Sequence, residues 1–143
     1  MHAEMLIAYI HFLSTVFMLG LIWFVQIVHY PLFSKVGISR SSEYQAEHQK
    51  RTSWVVGVPM LIEAVTAIWL VIEPTNGRLL PFIGFLILIK VQLSTVILQV
   101  PAHSKLIDGY TNEKISSLVR SNWIRTVGWT ARSVIATLIV ANG

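Results

Sequence analysis

The sequence predicts an all-α fold, an integral membrane four-helix bundle, and two observations and one physical constraint support this. Four apolar stretches, at residues 5–28, 54–72, 79–100 and 123–140, come close to or exceed the roughly 20 residues that a helix needs to cross a bilayer. Hydrophobic residues make up 54% of the chain and charged residues only 13%, against about 25% charged residues in a soluble domain. Because lipid offers the backbone no hydrogen-bond partners, spans of this length must be helices.

Composition also limits the domain count and the classes of partner. The four stretches leave no room for a soluble domain, so residues 1–143 are predicted to form a single transmembrane domain. The chain has no cysteine, which excludes disulfides and thiolate metal sites. Its net charge is +4, but no basic run is interleaved with aromatic residues, so we expect no nucleic-acid partner. The expected partners are the lipid bilayer and either further copies of the chain, as a homo-oligomer, or a larger membrane complex.

The first helix is predicted over residues 5–28. It is too long for the apolar part of a signal peptide, and no Lys or Arg precedes it, so we expect a helix that is retained. Pro31 should end it, because the residue before a proline avoids the helical region. Residues 42–52 are too polar to enter lipid. They are predicted to form a helix that either lies at the cytoplasmic interface or extends the second span.

The later helices are separated by two turns. The segment from Glu73 to Gly77 contains Pro, Asn and Gly, which favours a tight turn and an antiparallel hairpin of the second and third spans. Asp108 and Gly109 form the next turn, and the last helix is predicted to start at Thr111. Its first turns should then protrude before the membrane begins near Trp123.

The distribution of basic residues predicts the orientation. Seven Lys and Arg residues lie in the connections before the second span and before the fourth, whereas the connection between the second and third spans contains only Arg78. Because basic residues favour the cytoplasmic side, both termini are predicted to lie outside.

Three ionisable residues fall inside the apolar stretches: Glu63, Lys90 and Arg132. Counted from the interfaces, each is roughly 13–15 Å deep at 1.5 Å per residue, where a charge costs about 2.5–3.5 kcal/mol on insertion scales. We therefore expect all three to face the bundle interior. One interpretation is a structural bridge from Glu63 to Arg132 or to Lys90. The other is a functional site in which these residues act catalytically, by tuning charge or by shuttling protons.

A second group of polar residues should meet at the cytoplasmic end of the helices. Six of them are candidate ligands or binding residues: His29, Tyr30, His48, His103, Asn122 and Arg125. Three histidines from three segments suit a transition metal or a heme iron, although each alone could be an ordinary interfacial residue. Arg125 is a candidate to hold an anionic group, with Asn122 and Tyr30 beside it. His11 lies on the polar stripe of the first helix, toward the outer side of the membrane.

A family resemblance adds to this interpretation. The residues that carry it comprise His11, Gly20, Tyr30-Pro31, the segment 58–62, Lys90, His103, Arg120 and Asn122. Their order resembles that of the small four-helix bacterial protoporphyrinogen oxidase and, more loosely, of the copper-resistance CopD-like membrane proteins. The resemblance implies heme b bound by His11 within the bundle, a role for Lys90 in activity, and a place in the bacterial inner membrane.

Together these observations predict a heme- or metal-binding membrane redox protein that acts on a hydrophobic small molecule such as a porphyrin or quinone. The alternative is a small non-enzymatic transporter or an accessory subunit of a larger membrane complex, in which the buried charges are packing devices or line a pathway.

Overall fold

A computed structural model describes residues 3–143 and shows four long helices. They are α1 (Ala3–Lys35), α2 (Ile38–Ile72), α3 (Leu79–Asp108) and α4 (Asn112–Asn142), and no strand occurs within this range. Each helix is long and apolar enough to cross a membrane. The all-α prediction is therefore confirmed, and the chain is a membrane protein.

The helices form an antiparallel ring in which each contacts two neighbours. α1 packs against α2 and α4, and α3 packs against the same two helices. One end of the bundle, here called the hairpin end, contains the turn at residues 73–78, and there Asn76 Nδ2 donates to the carbonyl oxygen of Asn142 at 2.8 Å. The other end, here called the histidine end, contains the two short links α1–α2 and α3–α4. At that end Ser42 Oγ donates to the Ile107 carbonyl at 2.7 Å.

The predicted end of the first helix at Pro31 is wrong, because α1 continues to Lys35. A proline ring inside an α-helix clashes with the carbonyl four residues earlier. Here the turn before Pro31 is a π-helix, Val25–His29, in which the Tyr30 N–H bonds to the Val25 carbonyl five residues back. The wider turn accommodates the proline, and the chain stays helical.

The third helix repeats this device and also runs past its predicted end at residue 100. A π-helix, Thr95–Gln99, is followed by the α-helix Val100–Asp108, which carries Pro101 in its first turn. As a consequence His103 lies on a rigid helix and not in a loop.

Residues 42–52 do not form a separate interfacial helix. They belong to the continuous α-helix Ser41–Ile72, so of the two alternatives the extension of the second span is correct. α2 has 35 residues and is therefore about 52 Å long, whereas the hydrocarbon core is about 30 Å thick. The polar residues 42–52 lie at the histidine end, so we expect this end to project beyond the hydrocarbon.

The last helix begins where the sequence predicts. Thr111 is its N-cap, and the Thr111 side chain accepts a hydrogen bond from the Lys114 N–H at 3.2 Å. This contact satisfies one of the free N–H groups of the first turn.

The interior of the bundle is unusually polar, and the outside is apolar. Large residues such as Leu13 and Val127 are exposed, which suits a surface that faces lipid. Buried positions instead include many polar side chains: His11, Thr15, Gln26, Glu63, Gln99, His103, Asn122, Arg125 and Arg132. These residues form two groups, one near the middle of the bundle and one at the histidine end.

Candidate functional site

The middle group is built around Glu63 on α2, whose side chain is 0% exposed. Glu63 Oε1 accepts from Arg132 Nε at 2.9 Å and from Thr15 Oγ1 at 3.0 Å. Glu63 Oε2 accepts from Trp129 Nε1 at 3.0 Å. Of the two bridges that the sequence allowed, the structure contains Glu63–Arg132. A buried ion pair whose remaining lone pairs are also hydrogen-bonded is the arrangement that makes burial tolerable.

His11 is tied into the same network. Its Nδ1 lies 2.8 Å from Thr66 Oγ1, and its Nε2 lies 3.5 Å from Arg132 Nη2. Arg132 also donates to the Gly84 carbonyl. The cavity beside these groups measures only about 10 Å³, whereas ligand pockets are typically about 300–1,000 Å³. The middle group therefore has the geometry of a contact that fixes how the helices pack. A cavity of this size does not support its predicted roles in heme binding and catalysis.

Lys90 does not face the interior, so the prediction that it joins Glu63 and Arg132 is wrong. It is exposed on the outer face of α3, whose buried positions nearby are Leu88 and Val91. Successive helical residues are turned by about 100°, so a residue between those two points away from the bundle. Lys90 lies eleven residues from the start of α3, about 16 Å along the helix. In the described part of the chain, the interior consequently contains one carboxylate and one guanidinium at this level and no surplus lysine.

The three histidines do converge at the histidine end. His29 Nε2 lies 3.0 Å from His48 Nδ1, and the His48 and His103 rings have centroids 5.2 Å apart. Tyr30 joins them, because its hydroxyl lies 2.8 Å from His103 Nε2. The structure thus brings together four residues from three helices that the sequence had placed at one level.

These imidazoles are neighbours, but they are not arranged as ligands. Within residues 3–143, no group of three or more His, Asp or Glu side chains is positioned to hold a metal ion. His29 and His48 instead share a hydrogen bond, and Thr52 Oγ1 lies 3.1 Å from the same His48 nitrogen. The metal set of His29, His48 and His103 therefore stays a prediction.

Arg125 on α4 is the charged member of this group. Only 7% of the residue is exposed, its Nη1 donates to Asn122 Oδ1 at 3.2 Å, and its guanidinium carbon lies 5.2 Å from the centroid of the Trp129 ring. Salt bridges in the described part of the chain join Arg51 to Glu47 and Arg132 to Glu63. Among residues 3–143, Arg125 is thus a buried cation without a salt-bridge partner.

Gln26 supports this arrangement and was missed in the sequence. Its Oε1 accepts from Asn122 Nδ2 at 2.8 Å and from Thr126 Oγ1 at 3.2 Å. These contacts hold Asn122 in the position from which it accepts from Arg125. Gln26 lies four residues after Ile22 on the buried stripe of α1, so helical spacing would have found it.

A cavity of about 210 Å³ lies among these residues. Four polar side chains that line it have buried atoms with no hydrogen-bond partner: Gln49 Nε2, Gln99 Oε1, His103 Nδ1 and Arg125 Nε. Buried polar atoms are normally hydrogen-bonded, so unpaired ones need an explanation. The position of these four residues at one cavity makes it the candidate binding site at the histidine end.

A larger cavity of about 500 Å³ adjoins the first one. The two share five lining residues, which are Leu21, Val25, His48, Thr52 and Val56. Together they form a cleft, here called the α1–α2 cleft, with walls that are mostly apolar and a polar floor at Arg125 and His103. This composition is typical of sites for small hydrophobic molecules, where a few polar groups fix the orientation.

The α1–α2 cleft lies close to the expected membrane boundary. Arg51, Lys105 and Arg120 are exposed charged residues at this end of the bundle. Arg125 is five residues further along α4 than Arg120, which is about 7.5 Å deeper. An amphipathic molecule could therefore place its head on the polar floor while its tail stays in the hydrocarbon.

Both π-helices lead into this site. Tyr30 follows the π-helix of α1 directly, and Gln99 is the last residue of the π-helix of α3. Single π-turns within α-helices occur frequently at functional sites. Their position here supports the histidine end, and not the middle group, as the candidate site.

The chain matches no protein-family model, and it matches neither a curated protein nor a solved structure. The resemblance to four-helix heme proteins therefore stays a prediction, and the function must be argued from the site.

Proposed function

We propose that the chain is a membrane-embedded redox protein that binds a hydrophobic substrate, such as a quinone or porphyrin, in the α1–α2 cleft. The observation that carries this proposal is the apolar cleft that ends on buried, unpaired polar atoms of Gln99, His103 and Arg125. A hydrophobic ring or tail would fill the larger cavity. An oxygen of the substrate would accept from Arg125 Nε and from a protonated His103 Nδ1, whereas Gln99 Oε1 is an acceptor and would need a hydroxyl of the substrate as its donor.

The site also contains groups that can move protons. Reduction of a quinone to a quinol takes up two electrons and two protons. Two hydrogen-bonded pairs, His29 with His48 and Tyr30 with His103, line the α1–α2 cleft, and His29 is half-exposed. Imidazole and phenol groups within hydrogen-bond reach of a reacting oxygen are suitable proton donors and acceptors. The electrons would come from a separate redox donor or from a bound metal or heme.

The histidines are the residues that would hold such a centre. His29, His48 and His103 are neutral nitrogen donors of the kind that transition metals and heme iron accept. At least one ring would have to turn away from its present hydrogen bond, because His29 and His48 face each other at 3.0 Å. A bound metal or heme would supply the electron transfer, and the protein groups would bind and orient the substrate.

Spectroscopy and titration of the purified protein test this proposal. We expect quinone to quench tryptophan fluorescence with saturation, and a heme or metal, if present, to appear as a Soret band or in elemental analysis. His103→Ala should lose bound quinone and any bound cofactor while the bundle still folds.

His11→Ala is the matched control, because His11 is a buried histidine outside the α1–α2 cleft. It should keep quinone binding. Loss of heme in His11→Ala with retention in His103→Ala would instead support the heme site that the family resemblance implies. A wild-type protein that binds neither quinone nor cofactor would refute the redox proposal.

One observation favours the alternative of an accessory subunit. Lys90 is exposed on the outer face of α3, deep within the span. Charged residues at such depth are usually paired. Within the described residues, the carboxylate buried in the span, Glu63, already pairs with Arg132, so a carboxylate for Lys90 would have to come from another membrane protein.

A further inference from the structure

Resting on the proposed function, we infer that the α1–α2 cleft selects molecules whose head group is an ionised acidic oxygen. The substrate class would then be lipophilic organic acids, such as hydroxyquinones or porphyrin carboxylates, and not neutral quinones in general. The geometry that points to this is a buried cation, Arg125, beside unpaired N–H donors at the smaller cavity, whose described lining residues include no carboxylate.

The charges around the smaller cavity favour an anionic ligand. Arg125 is 7% exposed, and the residues that line the smaller cavity include no Asp or Glu. The larger cavity contains Glu47, but that carboxylate is exposed and already bonded to Arg51 at 3.1 Å. A buried charge is costly unless it is paired. The Trp129 ring compensates Arg125 only in part, and an anion in the cavity would complete the compensation.

The direction of the hydrogen bonds at the smaller cavity also favours an anion. The Tyr30 hydroxyl lies 2.8 Å from His103 Nε2, and the Arg125 side chain is within hydrogen-bonding range of the same hydroxyl. If Tyr30 donates to His103 Nε2, the ring proton lies on Nδ1, which is one of the unpaired atoms. Arg125 Nε also carries a hydrogen and has no acceptor. Two unused N–H donors, one of them charged, suit an acceptor oxygen with a full negative charge.

The shape of the α1–α2 cleft favours an acid with an apolar body. The smaller cavity, about 210 Å³, holds the donors, and the adjoining cavity of about 500 Å³ is lined by apolar residues such as Phe24 and Val55. A molecule with a compact acidic head and a longer apolar body matches this division. A small inorganic anion would leave the larger cavity unfilled.

A matched pair of ligands tests the inference. The protein is reconstituted in phosphatidylcholine nanodiscs and titrated with an alkyl hydroxynaphthoquinone, whose hydroxyl is ionised at neutral pH, and with its methyl ether, which has the same ring and tail but no charge. Hydrogen bonds to charged groups are among the strongest in proteins, so the anion should bind at least about tenfold more tightly. Equal binding of both would overturn the inference and leave the proposed function standing, whereas binding of neither would refute both.

Variants locate the preference. Arg125→Gln should bind both ligands with equal affinity, and Arg125→Lys should keep part of the difference. Arg120→Gln removes an exposed cation of the same helix and should behave as wild type. If Arg125→Gln does not fold, the wild-type preference and Arg125→Lys still decide the matter. If a folded Arg125→Gln variant still bound the anion more tightly than its methyl ether, Arg125 would not be the residue that selects the charged ligand.

A last arm separates an acidic substrate from a lipid head group. When phosphatidylglycerol replaces part of the phosphatidylcholine, the affinity for the hydroxynaphthoquinone should stay unchanged. Competitive loss of binding in wild type, absent in Arg125→Gln, would show that the site holds a lipid phosphate, and the inference of an acidic substrate would be wrong.

Discussion

Glu63 is a fully buried carboxylate, and three hydrogen-bond donors stabilise its charge. It accepts hydrogen bonds from Thr15 on α1 and from Trp129 and Arg132 on α4. Because α2 carries the acceptor, this one residue ties three helices together at a single level. Such a network fixes the orientation of each helix about its own axis and also strengthens the packing between the helices.

We therefore predict that Glu63→Gln destabilises the bundle. Removing one member of a buried pair leaves an unpaired charge and commonly costs about 3–5 kcal/mol. Unfolding in detergent, followed by circular dichroism, measures this loss. Glu47→Gln is the control, because the Glu47–Arg51 pair is largely exposed and exposed pairs contribute about 0–1 kcal/mol.

A second substitution checks the partner of Glu63. Arg132→Met combined with Glu63→Gln should restore part of the stability that Glu63→Gln loses, because the unpaired cation is then gone. Wild-type stability of Glu63→Gln alone would contradict the assignment of an ionised pair.

Lys90 allows a prediction of opposite sign. With no partner, a lysine in the span is a liability of about 2.5–3.5 kcal/mol, so Lys90→Leu should raise the stability of the purified protein. In native membranes the effect of Lys90→Leu depends on whether the protein is an accessory subunit of a larger membrane complex. If a partner carboxylate pairs with Lys90, the variant should leave its larger complex and migrate as a smaller species on a native gel, whereas Arg78→Leu should not.

At the scale of elements, the π-helices of α1 and α3 accommodate prolines that would otherwise break these two helices. Each precedes a proline and lets the helix continue to the histidine end. This continuity places Tyr30 and His103 opposite each other on rigid backbones. A loop at either position would leave their hydroxyl–imidazole contact of 2.8 Å without support.

A deletion distinguishes a π-turn from an ordinary helical turn. Removing Ile97, an exposed residue of the π-helix Thr95–Gln99, should convert the segment to α-helix and leave the two flanking parts nearly in register. Removing Ile89, in the α-helix Leu79–Ser94, should rotate everything after it by about 100°.

The stability of the two deletions can be compared by thermal unfolding in detergent. We expect the Ile97 deletion to keep most of the wild-type stability and the Ile89 deletion to lose the folded bundle. Equal damage by both would contradict the view that the π-turn absorbs one residue.

For the whole molecule, helix length and charge decide how the bundle sits in a membrane. The helices have 30–35 residues, which is about 45–52 Å, and the excess beyond the hydrocarbon collects at the histidine end together with most exposed charges. We propose that this end faces the cytoplasm, because seven basic residues lie in its two connecting regions and only Arg78 lies at the hairpin end.

Reporter fusions test this orientation. A reporter that is active only in the cytoplasm should give no signal when fused after Gly143 and a strong signal when inserted at Gly109 in the link between α3 and α4. The reversed pattern would place both termini inside and would turn the opening of the α1–α2 cleft to the opposite membrane surface.

Much of this architecture follows from the sequence alone, and the reason is periodicity. Lipid forces the spans to be helical, and a 3.6-residue repeat then decides which residues share a face. The buried stripe from His11 through Met18 to Ile22, and the line of Asn122, Arg125 and Arg132 on α4, could both be derived in this way, and the structure confirms them. The level at which the three histidines meet followed from counting residues along each span.

Tertiary structure decided what periodicity leaves open. The rotation of a helix about its own axis depends on its neighbours, so only packing could show that Lys90 faces outward while Arg132 reaches Glu63. Whether Pro31 and Pro101 end their helices depends on a π-turn that the surrounding helices support. The α1–α2 cleft is a space between helices, so no single stretch of sequence predicts it. Its polar atoms are unpaired because of how side chains that are distant in sequence pack around them.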